Sequence, residues 1–223
     1  ITWPDGTRRS VIHTWLFHWL VGAVGKLYAG DQNVMLVLDG AQDLGKSFFC
    51  HWLGNVAPGG YLESPLDPSD KDHDLRLLKH LVWEVSELGA TTRKQDSEAL
   101  KAFITKSVVT VRRPYAHHDL HKPAICSLVG TVNAADGFLT DPTGNRRFMV
   151  ATLDGIDWRY ADQVDPAQVW ATAYAAWKSG ARGRLDEVAV TRRTELNAEH
   201  KVRDSMSVYF DQVVTFTGES YDY

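Results

Sequence analysis

The segment that most constrains the fold is an apolar run followed by a glycine-containing turn. Residues 33–38 read "NVMLVL" and residues 39–47 read "DGAQDLGKS". The spacing from Gly40 to Ser47 is G-x-x-x-x-G-K-[ST], which is typical of a loop that binds phosphate through its backbone N–H groups. The apolar run predicts a strand buried on both faces of a parallel sheet. The next residues, "SFFCHWLGN", predict a helix that ends near Gly54. The turn therefore stands in the strand–loop–helix order that a phosphate-binding loop requires.

The rest of the chain alternates predicted strands and helices, which indicates an α/β fold. A helix is predicted over residues 9–29, and Asp96 is expected to cap another, with Ala99, Leu100, Phe103 and Ile104 on its buried face. The segments "SVVTVRRPY" and "HDLHKPA" predict a hairpin or an extended loop, and the residues from "PAQVWATAYAAWKSG" onward predict helices with breaks. Further strands are expected at "LVWEVSEL", "ICSLVGTVN" and "RRFMVATL", with a short one at Tyr61.

Composition excludes few classes of protein but indicates the cellular compartment and the kinds of partner to expect. The chain has 223 residues and a formal net charge of −4, so a basic surface for nucleic acid would have to be local. Cys50 and Cys126 have no CxxC spacing, which suits a reducing, cytoplasmic compartment. The apolar residues 11–24 are too few for a membrane span and are interrupted by histidine, so a buried helix is expected there and no membrane partner.

The turn supplies the residue types that hold a nucleoside triphosphate with Mg²⁺. Gly40 and Gly45 let the backbone direct its N–H groups toward phosphate, Lys46 would reach the β- and γ-phosphates, and the Ser47 hydroxyl would bind Mg²⁺. The alternative is a glycine-containing turn with an exposed lysine. The predicted nucleotide-binding residues are Gly40, Ala41, Gln42, Asp43, Leu44, Gly45, Lys46, Ser47 and Phe48.

A loop of this kind needs an acidic partner at the end of a neighbouring strand. "HLVWEVSEL" offers Glu84 at the end of a predicted strand and Glu87 three residues later. We expect Glu84 to be the acid on the metal side and Glu87 to be a catalytic base. The alternative for Glu87 is a place in a solvated helix or loop.

Two further elements carry polar groups close to predicted strands. Asn133 ends "LVGTVN" and would orient the attacking water as a sensor, or would serve only as a turn residue. Arg146 and Arg147 stand just before the last strand and would bind phosphate or reach a neighbouring subunit's nucleotide as an arginine finger. The alternative for the arginines is a surface ion pair with Asp141.

The segment "KSVVTVRRPYAHHDLHK" predicts a hairpin with a basic tip. Such a tip suits a single-stranded nucleic acid, with one aromatic ring for stacking. A zinc site built from its histidines and a simply solvated hairpin are the alternatives. The expected DNA-contacting residues are Lys106, Arg112, Arg113, Tyr115, His117, His118 and Lys122.

Four segments, in this order, resemble the virulence-associated protein E family. They are "DGAQDLGKSFF", "WEVSEL", "ALKAFITKSVVTVRRPY" and "GTVNAADGFLTDPTGNRRFMV". Members of that family are superfamily-3-like helicase ATPases of phages, plasmids and mobile islands, often accompanied by a primase. The resemblance covers about residues 10–190.

The resemblance implies an AAA+-like P-loop NTPase with a central, mostly parallel, five-stranded sheet flanked by helices. It implies an N-terminal helical segment at 1–30, an ATPase core at 31–155 and a C-terminal helical segment at 156–223. It also implies a hexameric ring that binds ATP and Mg²⁺ between subunits and acts on single-stranded DNA or a fork. In this scheme Lys46, Glu84, Glu87, Asn133, Arg146 and Arg147 are catalytic, and Ser47 and Glu84 hold the metal.

One position departs from the pattern of the family. Asp43 stands where glycine is expected, and a carboxylate near phosphates is unfavourable unless it points outward. Asp43 keeps open one alternative to a DNA helicase or translocase motor, a nucleotide-gated DNA-binding or loader module without productive unwinding. A second alternative is a small-molecule kinase, since such kinases also use a loop of this kind.

Overall fold

The computed structural model describes most of the chain up to residue 201. The described residues are 10–66, 73–86, 94–111, 119–133, 138–139 and 145–201, together with Trp3, Gly6, Arg8, Asp70 and Leu88. For residues 94–97 only the backbone is described.

Strands and helices alternate along the first half of the described chain, as the sequence predicts, and three successive strands and a C-terminal run of helices follow. The strands are β1 (Met35–Asp39), β2 (Tyr61–Glu63), β3 (Val82–Val85), β4 (Val108–Val111), β5 (Leu120–Pro123), β6 (Ser127–Val132) and β7 (Phe148–Thr152). The helices are α1 (Val11–Ala29), α2 (Lys46–Gly54), α3 (His73–Arg76), α4 (Lys94–Ile104), α5 (Tyr160–Gln163), α6 (Pro166–Lys178) and α7 (Glu187–Glu199), and a 3-10 turn covers Asn145–Arg147.

Five strands form one sheet in the order β2-β3-β6-β1-β7, and every neighbouring pair is parallel. The predicted five-stranded parallel sheet is therefore confirmed. The acidic strand β3 does not pair with β1, because β6 lies between them. β4 and β5 pair antiparallel and form a separate hairpin.

The sheet is buried between two apolar layers, which gives a three-layer α/β/α arrangement. Successive side chains of a strand point to opposite faces. On β1, Met35 and Val37 therefore pack in the layer that includes α4, and Leu36 and Leu38 pack in the layer that includes α1 and α2. The same alternation decides which polar strand residues can meet α2.

Helix α1 is tied to the sheet by hydrogen bonds as well as by apolar contact. The indole N–H groups of Trp15 and Trp19 are fully buried and donate to the carbonyls of Val150 (2.9 Å) and Leu128 (3.0 Å). A buried indole needs such a partner, so the two tryptophans fix the position of α1 over β6 and β7. Helix α1 covers almost the predicted range.

The prediction that Asp96 caps α4 is wrong, because the helix begins at Lys94 and Asp96 lies within its first turn. A carboxylate is favourable there as well, since the N-terminal end of a helix carries partial positive charge. Of the four predicted buried positions, Leu100 and Ile104 are 4% and 2% exposed, whereas Ala99 and Phe103 are only partly buried. None of the helices in the described ranges has the length and apolar content to cross a bilayer.

Candidate nucleotide-binding site

The loop between β1 and α2 has the backbone geometry of a tight turn. Asp39 ends β1, and Lys46 begins α2 with Gly45 as its N-cap residue at φ +88°. The Gly40 N–H donates to the carbonyl of Val132 at 3.3 Å, which ties the loop to the end of β6. A Cβ atom on Gly40 would lie 2.7 Å from the carbonyl oxygen of Leu153, so the loop has room only for glycine there.

Asp43 is the described non-glycine residue with a left-handed backbone, at φ +62°. This conformation explains why glycine is expected at the position, since a Cβ atom is unfavourable there and Asp and Asn tolerate it best. The Asp43 residue is exposed, so the residue lies on the solvent side of the loop.

The ammonium group of Lys46 lies across the loop. Its Nζ atom donates to the carbonyls of Gly40 and Ala41, each at 2.7 Å, and the residue is 9% exposed. The side chain therefore curls over the turn rather than extending into solvent. This places a positive charge beside the backbone N–H groups at the start of α2, where the helix end already favours an anion.

A buried carboxylate faces the first turn of α2. Glu84 is fully buried, and its Oε1 atom accepts hydrogen bonds from the hydroxyls of Ser47 (2.6 Å) and Thr131 (2.8 Å). Its Oε2 atom accepts a hydrogen bond from the hydroxyl of Tyr61 at 2.5 Å. Three hydroxyl donors on separate elements thus satisfy a charge whose burial alone would be strongly unfavourable.

Strand alternation explains how these groups meet. Glu84 of β3 pairs with Val129 of β6, and Thr131 lies two residues further along the same face. That face packs against α2, which presents Ser47. Ser47 and Glu84 were predicted from the sequence, but Thr131 and Tyr61 were not. In the sequence Thr131 is a single threonine on an apolar strand and Tyr61 is a single tyrosine on a short strand, and neither pattern is distinctive by itself.

The pKa values of two neighbouring groups are raised, first by burial and then by the Glu84 carboxylate. Burial, and after it the hydrogen bond to Glu84, raises the pKa of the Tyr61 hydroxyl far above its usual range. Burial also raises the pKa of the Cys50 thiol, and the charge of Glu84 adds to the effect. Both groups therefore stay protonated at neutral pH, and Tyr61 remains a hydrogen-bond donor to Glu84. Cys50 and Cys126 are both buried, free cysteines.

The donor set fits Mg²⁺ held partly by water and phosphate. Mg²⁺ prefers oxygen ligands and usually takes only one or two protein groups beside phosphate oxygens. Ser47 and Glu84, with oxygens 2.6 Å apart, provide one hydroxyl and one carboxylate. Within the described ranges no group of three His, Cys, Asp or Glu side chains is arranged to hold a metal ion alone.

Asn133 follows β6 directly and is exposed, and β6 lies beside β1 as the sequence analysis assumed. Its position at the carboxyl end of the strand next to the loop is compatible with either a sensor or a turn. Glu87, the predicted base, lies outside the described residues.

A histidine that follows α7 also contacts the carboxyl-terminal ends of β1 and β7. The Nδ1 atom of His200 lies 3.5 Å from a carboxylate oxygen of Asp39, and its Nε2 atom lies 3.3 Å from the Thr152 hydroxyl. The carbonyl of His200 accepts hydrogen bonds from the N–H groups of Phe138 and Leu139. No sequence pattern indicated these contacts, because they join residues more than 40 positions apart.

The two arginines lie at the amino-terminal ends of the parallel strands, whereas the loop follows the carboxyl-terminal end of β1. They belong to the 3-10 turn that precedes β7, and β7 begins beside Met35 and ends beside Asp39. The strand separates its two ends by about 13 Å. Arg146 is exposed and Arg147 is partly buried. Because the length of the strand separates the turn from the loop, neither guanidinium lies next to Lys46 of its own chain.

Helix α7 holds the turn that carries these arginines. The Asn197 amide donates to the carbonyls of Asn145 (2.8 Å) and Phe148 (3.0 Å), and the Arg193 guanidinium donates to the carbonyl of Arg146 (2.9 Å). Burial lowers the pKa of Arg193, and the charge of Arg146 lowers it further. The arrangement gathers positive charge on one surface of the chain.

The expected DNA-contacting hairpin is present as strands β4 and β5, and Lys122 on β5 is exposed. Lys106 differs from the expectation. Its ammonium binds both carboxylate oxygens of Asp74, at 2.6 and 2.7 Å, so it anchors the base of the hairpin to α3. The remaining predicted contacts, Arg112, Arg113, Tyr115, His117 and His118, lie outside the described residues.

Comparison with known proteins agrees with the motif order. The profile of the Virulence-associated protein E-like domain matches residues 5–202. Two similar solved structures are described as "The A form apo structure of NrS-1 C terminal region-CTR" and "The A form apo structure of NrS-1 C terminal region-CTR(305-718)". They are 17% and 14% identical to this chain, with TM-scores of 0.46 and 0.48.

The alignments cover 89% and 88% of this chain but only 46% and 48% of the NrS-1 chains, so the chain spans about half their length. No curated protein matches the chain significantly. Since the profile covers most of the 223 residues, the chain belongs to the Virulence-associated protein E-like family.

Proposed function

We propose that this chain is an ATP-dependent, Mg²⁺-dependent motor, a DNA helicase or translocase, of a phage or mobile-element replication protein. The observation that carries the proposal is the contact between Ser47 of the G-x-x-x-x-G-K-S loop and the buried carboxylate of Glu84. A hydroxyl at the start of a helix, facing an acid on a parallel strand, is the arrangement that P-loop NTPases use to hold a metal-bound triphosphate. Membership of the family supports the same function.

Each group at the site has a defined task in this scheme. The N–H groups of the loop and the ammonium of Lys46 bind the phosphates, with Lys46 exchanging its carbonyl partners for phosphate oxygens. Ser47 and Glu84 would hold Mg²⁺, whose positive charge would help to neutralise the charge that develops on the phosphates. Thr131 and Tyr61 keep the Glu84 carboxylate oriented. Asn133 and Glu87 are proposed to orient and deprotonate the attacking water.

The position of the arginine turn favours a site shared between subunits. Arg146 and Arg147 lie about one strand length, roughly 13 Å, from the end of β1 that leads into the loop. A guanidinium at this distance from the loop of its own chain can stabilise the transferring phosphoryl group only in a neighbouring copy. A head-to-tail contact of this kind closes into a ring, for which we propose six subunits.

The hairpin of β4 and β5 is the proposed contact with single-stranded DNA. Its strands lie outside the main sheet, and the chain between them contains five of the seven predicted contacts, Arg112, Arg113, Tyr115, His117 and His118. A primase would supply a partner activity in replication. Lys106 is better assigned to the base of the hairpin, because its charge is paired with Asp74.

The test is the rate of ATP hydrolysis against protein concentration, with and without single-stranded DNA. We expect a rate per chain that rises steeply with concentration, rises further with DNA and is lost in Lys46→Ala. Turnover independent of concentration and of DNA would instead support a kinase. ATP binding without turnover in every condition would support a loader module.

A further inference from the structure

Two exposed aromatic side chains lie beside the phosphate-binding loop. One of them, Phe48, is a predicted nucleotide-binding residue as the neighbour of Ser47, but the scheme above gives neither ring a task. Trp158, in the segment after β7, and Phe48, in the first turn of α2, are each 49% exposed. Their ring centroids are 5.3 Å apart, and the ring planes are inclined by 57°. Large aromatic rings stabilise a fold chiefly by burial, so a half-exposed pair next to a ligand site offers surface for a ligand.

The indole of Trp158 contacts the backbone of the loop itself. A Cβ atom on Gly45 would lie 2.2 Å from the Cη2 atom and 2.4 Å from the Cζ2 atom of this ring. Gly45 is also the residue at φ +88°, directly before Lys46. The absence of a side chain at position 45 therefore serves two purposes, since it permits the turn and lets the indole approach the loop.

The segment that carries Trp158 is held by the residues on either side of it. The Leu153 N–H donates to the carbonyl of Asp39 at 2.8 Å, and the Ala161 N–H donates to the carbonyl of Trp158 at 3.1 Å. The ring of Tyr160 packs edge-on against Trp52 of α2, with centroids 4.9 Å apart. The indole is thus positioned by its backbone and its neighbours, and about half of the surface of the residue stays exposed.

The direction of a bound nucleotide is set by the loop. Its N–H groups surround the α- and β-phosphates, and the lysine reaches the β- and γ-phosphates. The nucleoside therefore leaves the site on the α-phosphate side, at the first turn of α2, where Phe48 lies. We propose that Trp158 and Phe48 form a platform on which the purine base of the nucleotide stacks. This inference rests on the proposed function, because it requires that the loop binds a nucleoside triphosphate.

Stacking on an aromatic ring strengthens binding without reading the polar edge of the base. The platform therefore adds affinity for a nucleotide over its bare phosphate chain. Calorimetric titration of the full chain with ATP and with inorganic tripolyphosphate, both in Mg²⁺, separates the two contributions. The variants are Trp158→Ala, Trp158→Phe and Phe48→Ala, with Lys46→Ala as the phosphate-site variant. Phe17→Ala is the matched control, since Phe17 is a 39% exposed aromatic residue on α1.

We expect Trp158→Ala and Phe48→Ala to weaken ATP binding by about tenfold and to leave tripolyphosphate binding unchanged. Trp158→Phe retains most of the ATP affinity, because it keeps a ring, and Phe17→Ala binds both ligands normally. ATP affinity unchanged in both alanine variants, or an equal loss for ATP and tripolyphosphate, overturns the platform while leaving the proposed function intact. If the unaltered chain binds neither ligand, or Lys46→Ala binds both normally, the proposed function fails and the platform fails with it.

Discussion

Position 43 of the loop combines an unfavourable backbone with an unfavourable charge. Asp43 has φ +62° and is exposed. Aspartate tolerates the left-handed region better than most residues, so the fold is retained, but its negative charge remains near the bound phosphates. The position is therefore suited to separating the effect of charge from the effect of backbone geometry.

We expect Asp43→Asn and Asp43→Gly to bind ATP about threefold more tightly at low salt, because each removes the like charge. The gain becomes smaller in high salt, where exposed charges are screened. Titration with ATP at two salt concentrations measures both effects. Asp162→Asn, an exposed aspartate on α5, is the control and changes nothing. Weaker binding in both variants contradicts the expectation.

Tyr61 is expected to act through Glu84. Tyr61→Phe removes the donor to Oε2 of a fully buried carboxylate, and we expect this to cost about 1–3 kcal/mol of unfolding free energy. The rate of ATP hydrolysis falls, while the affinity for ATP is retained because the loop is untouched. Thermal melting and steady-state kinetics measure the two effects. Tyr174→Phe, an exposed tyrosine on α6, is the control; equal losses in both variants would falsify the role of Tyr61.

The stabilising effect of Tyr61 depends on pH in a defined direction. Its pKa in the folded chain is raised by burial and then by Glu84, so the contribution is fully present below the unfolded pKa of about 10. It is lost as pH rises above that value, because only the unfolded chain then releases the proton. The stability difference between the unaltered chain and Tyr61→Phe is expected to be constant from pH 7 to about 9 and to shrink at higher pH. Denaturant unfolding at these pH values measures it, and a difference that grows above pH 10 contradicts the assignment.

The sequence predicts part of this site and cannot predict the rest, for a physical reason. The loop is a local pattern, so Gly40, Gly45, Lys46 and Ser47 are recognisable without a structure. Tyr61 and Thr131 join Glu84 only because three parallel strands align in one register. Register is a property of the whole sheet, and a single tyrosine or threonine on an apolar strand carries no distinctive spacing.

At the scale of elements, α7 and the turn before β7 behave as one unit. Asn197 is 2% exposed, and its amide satisfies two backbone carbonyls, one of them on Asn145 beside the arginines. Asn197→Ala leaves both carbonyls without this donor. The consequence extends to the turn, since the position of Arg146 also depends on Arg193 of the same helix.

We expect Asn197→Ala to lower the unfolding free energy by about 2 kcal/mol and to reduce ATP hydrolysis more than ATP binding. Denaturant unfolding and ligand titration measure the two quantities. Asn55→Ala, at an exposed asparagine that follows α2, is the matched control and changes both by little. A loss of ATP binding equal to the loss of hydrolysis would place the effect at the loop rather than at the turn.

The sequence predicts which segments form strands better than it predicts the order of those strands in the sheet or the residue at which a helix begins. Buried apolar runs mark β1, β6 and β7 in the sequence, because a parallel strand covered on both faces has little room for polar residues. The sequence does not show that β6 lies between β1 and β3, since strand order follows from how the helices cover the sheet. The start of α4 was misplaced by three residues, because a carboxylate is favourable both as a cap and within the first turn.

For the whole molecule, the opposite placement of loop and arginines predicts complementation between copies. Lys46→Ala lacks a working loop and keeps its arginines, whereas the double variant Arg146→Ala/Arg147→Ala keeps its loop. Each is expected to be inactive alone, because every site then lacks one half. In an equal mixture with random assembly, about a quarter of the interfaces join an intact loop to intact arginines. The mixture is therefore expected to recover about a quarter of the unaltered rate of ATP hydrolysis.

The measurement is the ATPase rate of the mixture at a protein concentration that supports assembly, compared with each variant alone. Mixing Lys46→Ala with Glu84→Gln is the matched control, because both changes affect the loop side of the site and no interface regains a complete set. Recovery in the first mixture but not in the second shows that the arginines act on the neighbouring copy. Equal rates in the two mixtures would show that the arginines do not act on the neighbouring copy. An arginine variant as active as the unaltered chain would show that ATP hydrolysis does not need them.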